Sequence, residues 1–72
     1  MAWKTISEHY SDDKSKMAVV SYDAVEDYFF VDYFSDVFLI ETIKYPGKSQ
    51  RWAEDCAENY VLGILNVSQD AQ

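Results

Sequence analysis

With one cysteine (Cys56), one histidine (His9), one proline and two glycines, the chain lacks most of the devices that hold very small proteins together. A lone thiol excludes an internal disulfide, and one histidine with one cysteine falls short of the common zinc ligand sets. Cations are scarce too. Six Lys and Arg stand against 13 Asp and Glu, a formal charge of −7, with a pI near 4.3. Such a surface repels phosphate, which argues against nucleic-acid and anionic-membrane partners. Apolar runs stop at four residues, as in Tyr28 to Val31, far short of the roughly 20 needed to cross a bilayer. Met1 to Glu8 holds no basic stretch ahead of an apolar one and does not read as a signal peptide. The expectation is a cytoplasmic protein with a reduced thiol and no membrane contact.

What remains is enough for one small domain. Hydrophobic residues make up 49% of the 72 and aromatics 17%, which does not fit a disordered acidic tail. A chain this short buries only about 60% of the surface exposed by its unfolded form, so a lone core is marginal. With disulfide and zinc excluded, oligomerisation is the reinforcement left.

Trp3 to His9 reads as a short strand or arm, and Tyr10 to Lys16 as a polar turn-rich stretch. Met17 to Tyr22 is β-branched enough for a strand, and Asp23 to Asp27 makes an acidic loop. Tyr28 to Phe34 is a strong strand. Ser35-Asp36 serves as the turn into a further strand, Val37 to Tyr45, which Pro46-Gly47 stops. From Gln50 the pattern becomes helical, with Ser49 as N-cap and Ala53, Cys56, Ala57, Tyr60, Val61 and Ile64 on one stripe. About 16 residues of helix would run roughly 24 Å. The predicted fold is α+β: an antiparallel β-meander of three to four strands with one C-terminal α-helix packed on one face. It occupies residues 1–65, followed by a flexible polar tail over 66–72.

Neither long strand has a clean polar side. Phe29, Val31 and Tyr33 point one way, and Tyr28, Phe30, Asp32 and Phe34 the other. In the next strand, Phe38, Ile40 and Thr42 alternate with Val37, Leu39, Glu41 and Ile43. One helix covers one face, so Tyr28, Phe30, Phe34, Val37 and Leu39 form a candidate interface on the other. A second copy, the N-terminal segment with Trp3, Ile6 and Tyr10, or a different protein would cover it. A symmetric dimer is favoured.

Chemistry is sparse. His9 lies in a mobile-looking segment, and Cys56 on the apolar stripe reads as a small buried hydrophobe. The carboxylates of Asp12-Asp13 and of Asp23, Glu26 and Asp27 lack the alternation and central glycine of a calcium loop and read as solvated. Gly47-Lys48-Ser49 lacks the first glycine of a phosphate loop. No catalytic, cofactor-binding or metal residue is assigned, no cofactor is implied, and the chain reads as a non-enzymatic interaction module. The alternative draws on a candidate acidic surface of Asp23, Glu26, Asp27 and Asp36. Together with Asp32 and Glu41 in one row, these would imitate nucleic acid and occupy a basic protein.

Two resemblances add to this. Gly47 to Ala57, with its Gly-x-Ser turn and small residues at helical spacing, resembles the last strand-to-helix segment of double-stranded-RNA-binding domains. That resemblance implies Lys48 and Arg51 near phosphates. Gln50 and Glu54 depart from the family's basic positions, and its first helix is missing. The acidic chain as a whole, with Tyr28 to Tyr45, Tyr45-Pro46-Gly47-Lys48-Ser49 and Ala53 to Tyr60, is similar to small proteins of marine tailed phages that infect cyanobacteria. This implies the cytoplasm of an infected host and no particular activity.

Overall fold

Strands built from β-branched and aromatic residues pair in chain order, each turning back on the last. The computed structural model describes residues 3–64, so the tail expected over 66–72 lies outside the described residues. Strands β1 (Trp3–Tyr10), β2 (Lys16–Asp23), β3 (Tyr28–Ser35) and β4 (Phe38–Tyr45) form one antiparallel sheet in the order β1-β2-β3-β4. Helix α1 (Gln50–Val61) follows and packs on β2, β3 and β1. This is the α+β meander with a C-terminal helix that the patterning predicts, at its four-strand limit. The N-terminal segment is the first strand of the sheet and does not fold over its open face.

Each hairpin is shaped by local chemistry. Asp13 Oδ1 accepts from the Ser15 N–H and from the hydroxyls of Ser11 and Ser15 in the β1–β2 turn. Asp23 Oδ1 accepts from the N–H groups of Val25 and Glu26 between β2 and β3. The β3–β4 turn has two residues, Asp36 (φ 51°) and Val37 (φ 67°), flanked by the Ser35–Phe38 pair. Both lie in the left-handed region that hairpin twist demands. The turn therefore sits one residue later than Ser35-Asp36, and Val37 is a turn residue, outside the strand.

Each edge strand carries one bulge. Ile6 is the extra residue between Thr5 and Ser7, and Ile40 the extra residue between Leu39 and Glu41. Both isoleucines pack against the core. A bulge reverses the alternation beyond it. By register, Leu39 and Thr42 lie on the open face with Phe34 and Asp32, whereas Glu41 and Ile43 lie on the helix side with Tyr33 and Val31. The simple two-sided reading of Val37 to Tyr45 fails for this reason.

The core joins Ala18, Val20, Val31 and Tyr33 of the sheet to Ala53, Ala57, Tyr60 and Val61 of the helix. Three alanines let the helix settle close, and the larger fully buried side chains contribute about 1.5–3 kcal/mol each. The Tyr60 ring stands edge-on to Tyr33 at 5.0 Å, and its hydroxyl donates to the Phe34 carbonyl at 3.0 Å. Ser49 caps α1 as predicted, accepting from the Trp52 N–H at 3.2 Å. The helix ends earlier than predicted. Gly63 at φ 85° donates to the Tyr60 carbonyl and Ile64 to that of Asn59, a Schellman closure that stops α1 at 12 residues. Ile64, expected on the buried stripe, is exposed, and Cys56 is half-buried.

A candidate interaction surface

The sheet spans four strands, about 14 Å between outer strand axes, while a helix is about 10–12 Å across. One helix over β1 to β3 thus leaves the opposite face open and the β4 side thinly covered. On the open face the aromatic rings shelter one another. Phe30 meets Trp3 edge-on at 6.3 Å and Tyr28 at 6.4 Å, while the Lys44 ammonium lies 5.7 Å from the Tyr28 ring centre. Thr42 donates to Asp32 at 2.6 Å across the same face. Beneath these rings, Ser21 sits opposite Phe30 and Thr5, fully buried. Its hydroxyl has no hydrogen-bond partner among the described residues.

The predicted interface residues thus divide. Tyr28, Phe30 and Phe34 share the open face and are half-buried. Leu39 joins them through its pairing with Phe34 and is 55% exposed, while Val37, at the turn tip, is 86% exposed. Phe38 pairs with Ser35 on the helix side, yet it is 72% exposed because this corner of the sheet lies beyond helix cover. Sequence reasoning assigned Phe38 to the covered face. The narrowness of a single helix relative to four strands was the signal that it is open.

The carboxylates do not line up in one row. Asp23, Glu26 and Asp27 lie at the β2–β3 turn, and Asp36 at the far end of β3, about 24 Å away by strand rise. Asp36 donates its N–H to the Ser15 carbonyl, so it neighbours the β1–β2 turn that carries Asp12 and Asp13. Asp32 lies on the open face and Glu41 on the helix side. The Asp13 carboxyl is lowered to about 2 by the backbone N–H and hydroxyl of Ser15 and the hydroxyl of Ser11. Asp27 accepts from the Tyr22 hydroxyl and raises its pKa.

On the helix side, His9, Gln50, Arg51, Glu54, Asp55 and Glu58 line an open cleft of about 510 Å³. His9, expected in a mobile stretch, is held in β1 opposite Ala18. Ser7 donates to Glu54 at 3.3 Å, and the His9 ring nitrogen lies 3.1 Å from the Ser7 oxygen. Arg51 is thus among carboxylates, Lys48 lies 4.4 Å from the Trp52 ring centre, and Lys44 is on the open face. The three cations do not form one basic patch. Among the described residues no group of three or more His, Cys, Asp or Glu is arranged to hold a metal. No described helix is long and apolar enough to cross a membrane. No protein-family model, curated protein or solved structure matches this chain.

Proposed function

We propose that the chain is a non-enzymatic interaction module that associates with a second copy of itself through apolar surface left uncovered by its single helix. The observation that carries this reading is the run Val37-Phe38-Leu39, three consecutive large apolar side chains, each more than half exposed. Three such residues in a row are a fault in a monomer's surface unless they have a partner. Val37 adds weight. The turn demands a positive φ there, which glycine would adopt freely. The position instead holds a β-branched residue at φ 67°, at a conformational cost that a side chain used in contact would explain. The small size of the domain supplies the thermodynamic reason, since one core in 72 residues benefits from burial against a neighbour.

Size-exclusion chromatography with light scattering, run over a hundredfold dilution series, tests the proposal. The expected result is a mass of two chains that falls toward one on dilution. A mass of one chain at every concentration would overturn it.

A further inference from the structure

Resting on the reading of self-association, we infer that the two copies meet through one end of the domain, where the β3–β4 turn and the C-terminal turn of α1 come together, and that the sheet edges do not form the contact.

Three observations place the contact there. The first is geometry. The Tyr60 hydroxyl bonds the Phe34 carbonyl, which brings the last turn of α1 to the end of the sheet that carries Asp36 and Val37. Leu62 and Ile64 follow directly and are 63% and 70% exposed. Six of the nine exposed large apolar residues therefore lie at this end: Val37, Phe38, Leu39, Leu62 and Ile64, with Tyr10 at its β1 margin. The remaining three lie elsewhere. Trp3 is at the opposite end of β1, Val25 in the β2–β3 turn, and Trp52 near the start of α1 beneath Lys48.

The second observation is area. The exposed parts of Val37, Phe38, Leu39, Leu62 and Ile64 amount to roughly 300–450 Å² of apolar surface, taking about 60–120 Å² for a full aliphatic side chain and about 200 Å² for Phe. A stable interface covers about 800 Å² on each partner and is about 57% apolar, which requires roughly 450 Å². The end patch alone supplies about two-thirds or more of that need.

The third observation removes the competing geometry. An exposed sheet edge recruits a second copy by extending its hydrogen-bonded ladder, and bulges are a device that prevents this. Both edges here carry one, at Ile6 and Ile40, and β4 closes on Lys44 and Pro46. Association through side chains at the end remains. A twofold contact there would also bring together the Asp36 carboxylates of the two copies, with Asp12 and Asp13 at the same end. Salt should then tighten the pair by screening them.

The test compares wild type with Phe38→Asp and Ile64→Asp, each by light scattering across dilution, with circular dichroism to establish folding. Each substitution is expected to raise the dissociation constant roughly tenfold or more, since it removes an apolar side chain and adds a charge to an acidic contact. The wild-type pair should tighten between 0.05 and 0.5 M NaCl, taken here as roughly one decade in salt. Amide hydrogen exchange on concentrated and dilute wild type gives a reading independent of any variant, with added protection expected at residues 36–39 and 61–64. If wild type pairs while both variants pair equally well, or protection falls on β1 or along β4 beyond residue 40, the end contact is wrong and self-association stands. A wild-type monomer at every concentration overturns both.

Discussion

The hydroxyls of Tyr33 and Tyr45 meet at 2.6 Å between the sheet and helix α1, within a largely apolar layer. The two partners are not equivalent. Tyr33 is fully buried, whereas Tyr45 is half-buried. Removing the Tyr33 hydroxyl leaves behind a group near water, and removing that of Tyr45 strands a buried one. Tyr33→Phe should therefore lower stability by about 1 kcal/mol, and Tyr45→Phe by more, about 1–3 kcal/mol. Urea midpoints of the two variants check the order, and the reverse order would contradict the assigned burial.

The same burial makes the fold sensitive to alkali. Desolvation raises Tyr33 far above the ordinary tyrosine value of 10.0 and pushes Tyr45 up to about 12, with the neighbouring Cys56 thiol adding to the latter. Tyr60 is raised by burial and by Asp36. A folded-state pKa above the unfolded one contributes stability that is complete below pH 10 and is lost as pH rises through the folded values. Urea midpoints should hold up to about pH 9 and fall progressively from pH 10 toward 12. Phenolate absorbance should show Tyr33 and Tyr45 ionising only as the chain unfolds.

At the acid end the sign is opposite. Asp13 is held at about 2, below the ordinary 3.8, by Ser15 and Ser11. A depressed carboxyl contributes stability above its unfolded value that disappears as pH falls through the folded one. Asp13→Ala should lower the melting temperature slightly at neutral pH and flatten its pH dependence between about pH 4 and 2, so that variant and wild type converge at the acid end. Asp13 is fully exposed, so the effect should be small and reduced by salt.

Ser21 offers a gain. Its hydroxyl is buried without a partner beside Phe30 and Thr5, and an unmet polar group costs about 1–3 kcal/mol. Ser21→Ala keeps the space nearly filled and removes the group. The variant should match or exceed wild type by up to about 1 kcal/mol in urea, and a clear loss would mean that the hydroxyl has a partner in solution.

Legibility in the sequence followed the reach of each signal. The strands and the Ser49 cap are local patterns, and Tyr28 to Phe34 alternates so regularly that its two faces were readable. The bulges at Ile6 and Ile40 were not, because an extra residue is defined only against the partner strand. The faces of Glu41, Thr42 and Ile43 were lost with them. Gly63 was a readable stop, since glycine just past a helical pattern is the usual closure, and apolar Ile64 beyond it obscured the signal. Phe38 was misplaced for a geometric reason, the limited width of one helix. His9 was read as mobile because its β1 neighbours pair at long range.

Val37 joins the fold to the proposed contact. The two-residue turn requires positive φ at both positions, and Val37 adopts 67° although its branched Cβ makes that region costly. Glycine adopts it freely, so Val37→Gly should relieve about 1–3 kcal/mol of strain, less about 0.5–1 kcal/mol for the more flexible unfolded chain. The isolated fold should therefore become modestly more stable. The same change deletes a side chain that is 86% exposed and central to the end patch. Pairing should weaken roughly tenfold while the monomer gains, an opposition that no purely structural role for Val37 produces. Thermal melts at the lowest usable concentration report the first effect, and light scattering across dilution the second. If stability and pairing rose or fell together, the strain at Val37 would belong to the turn alone.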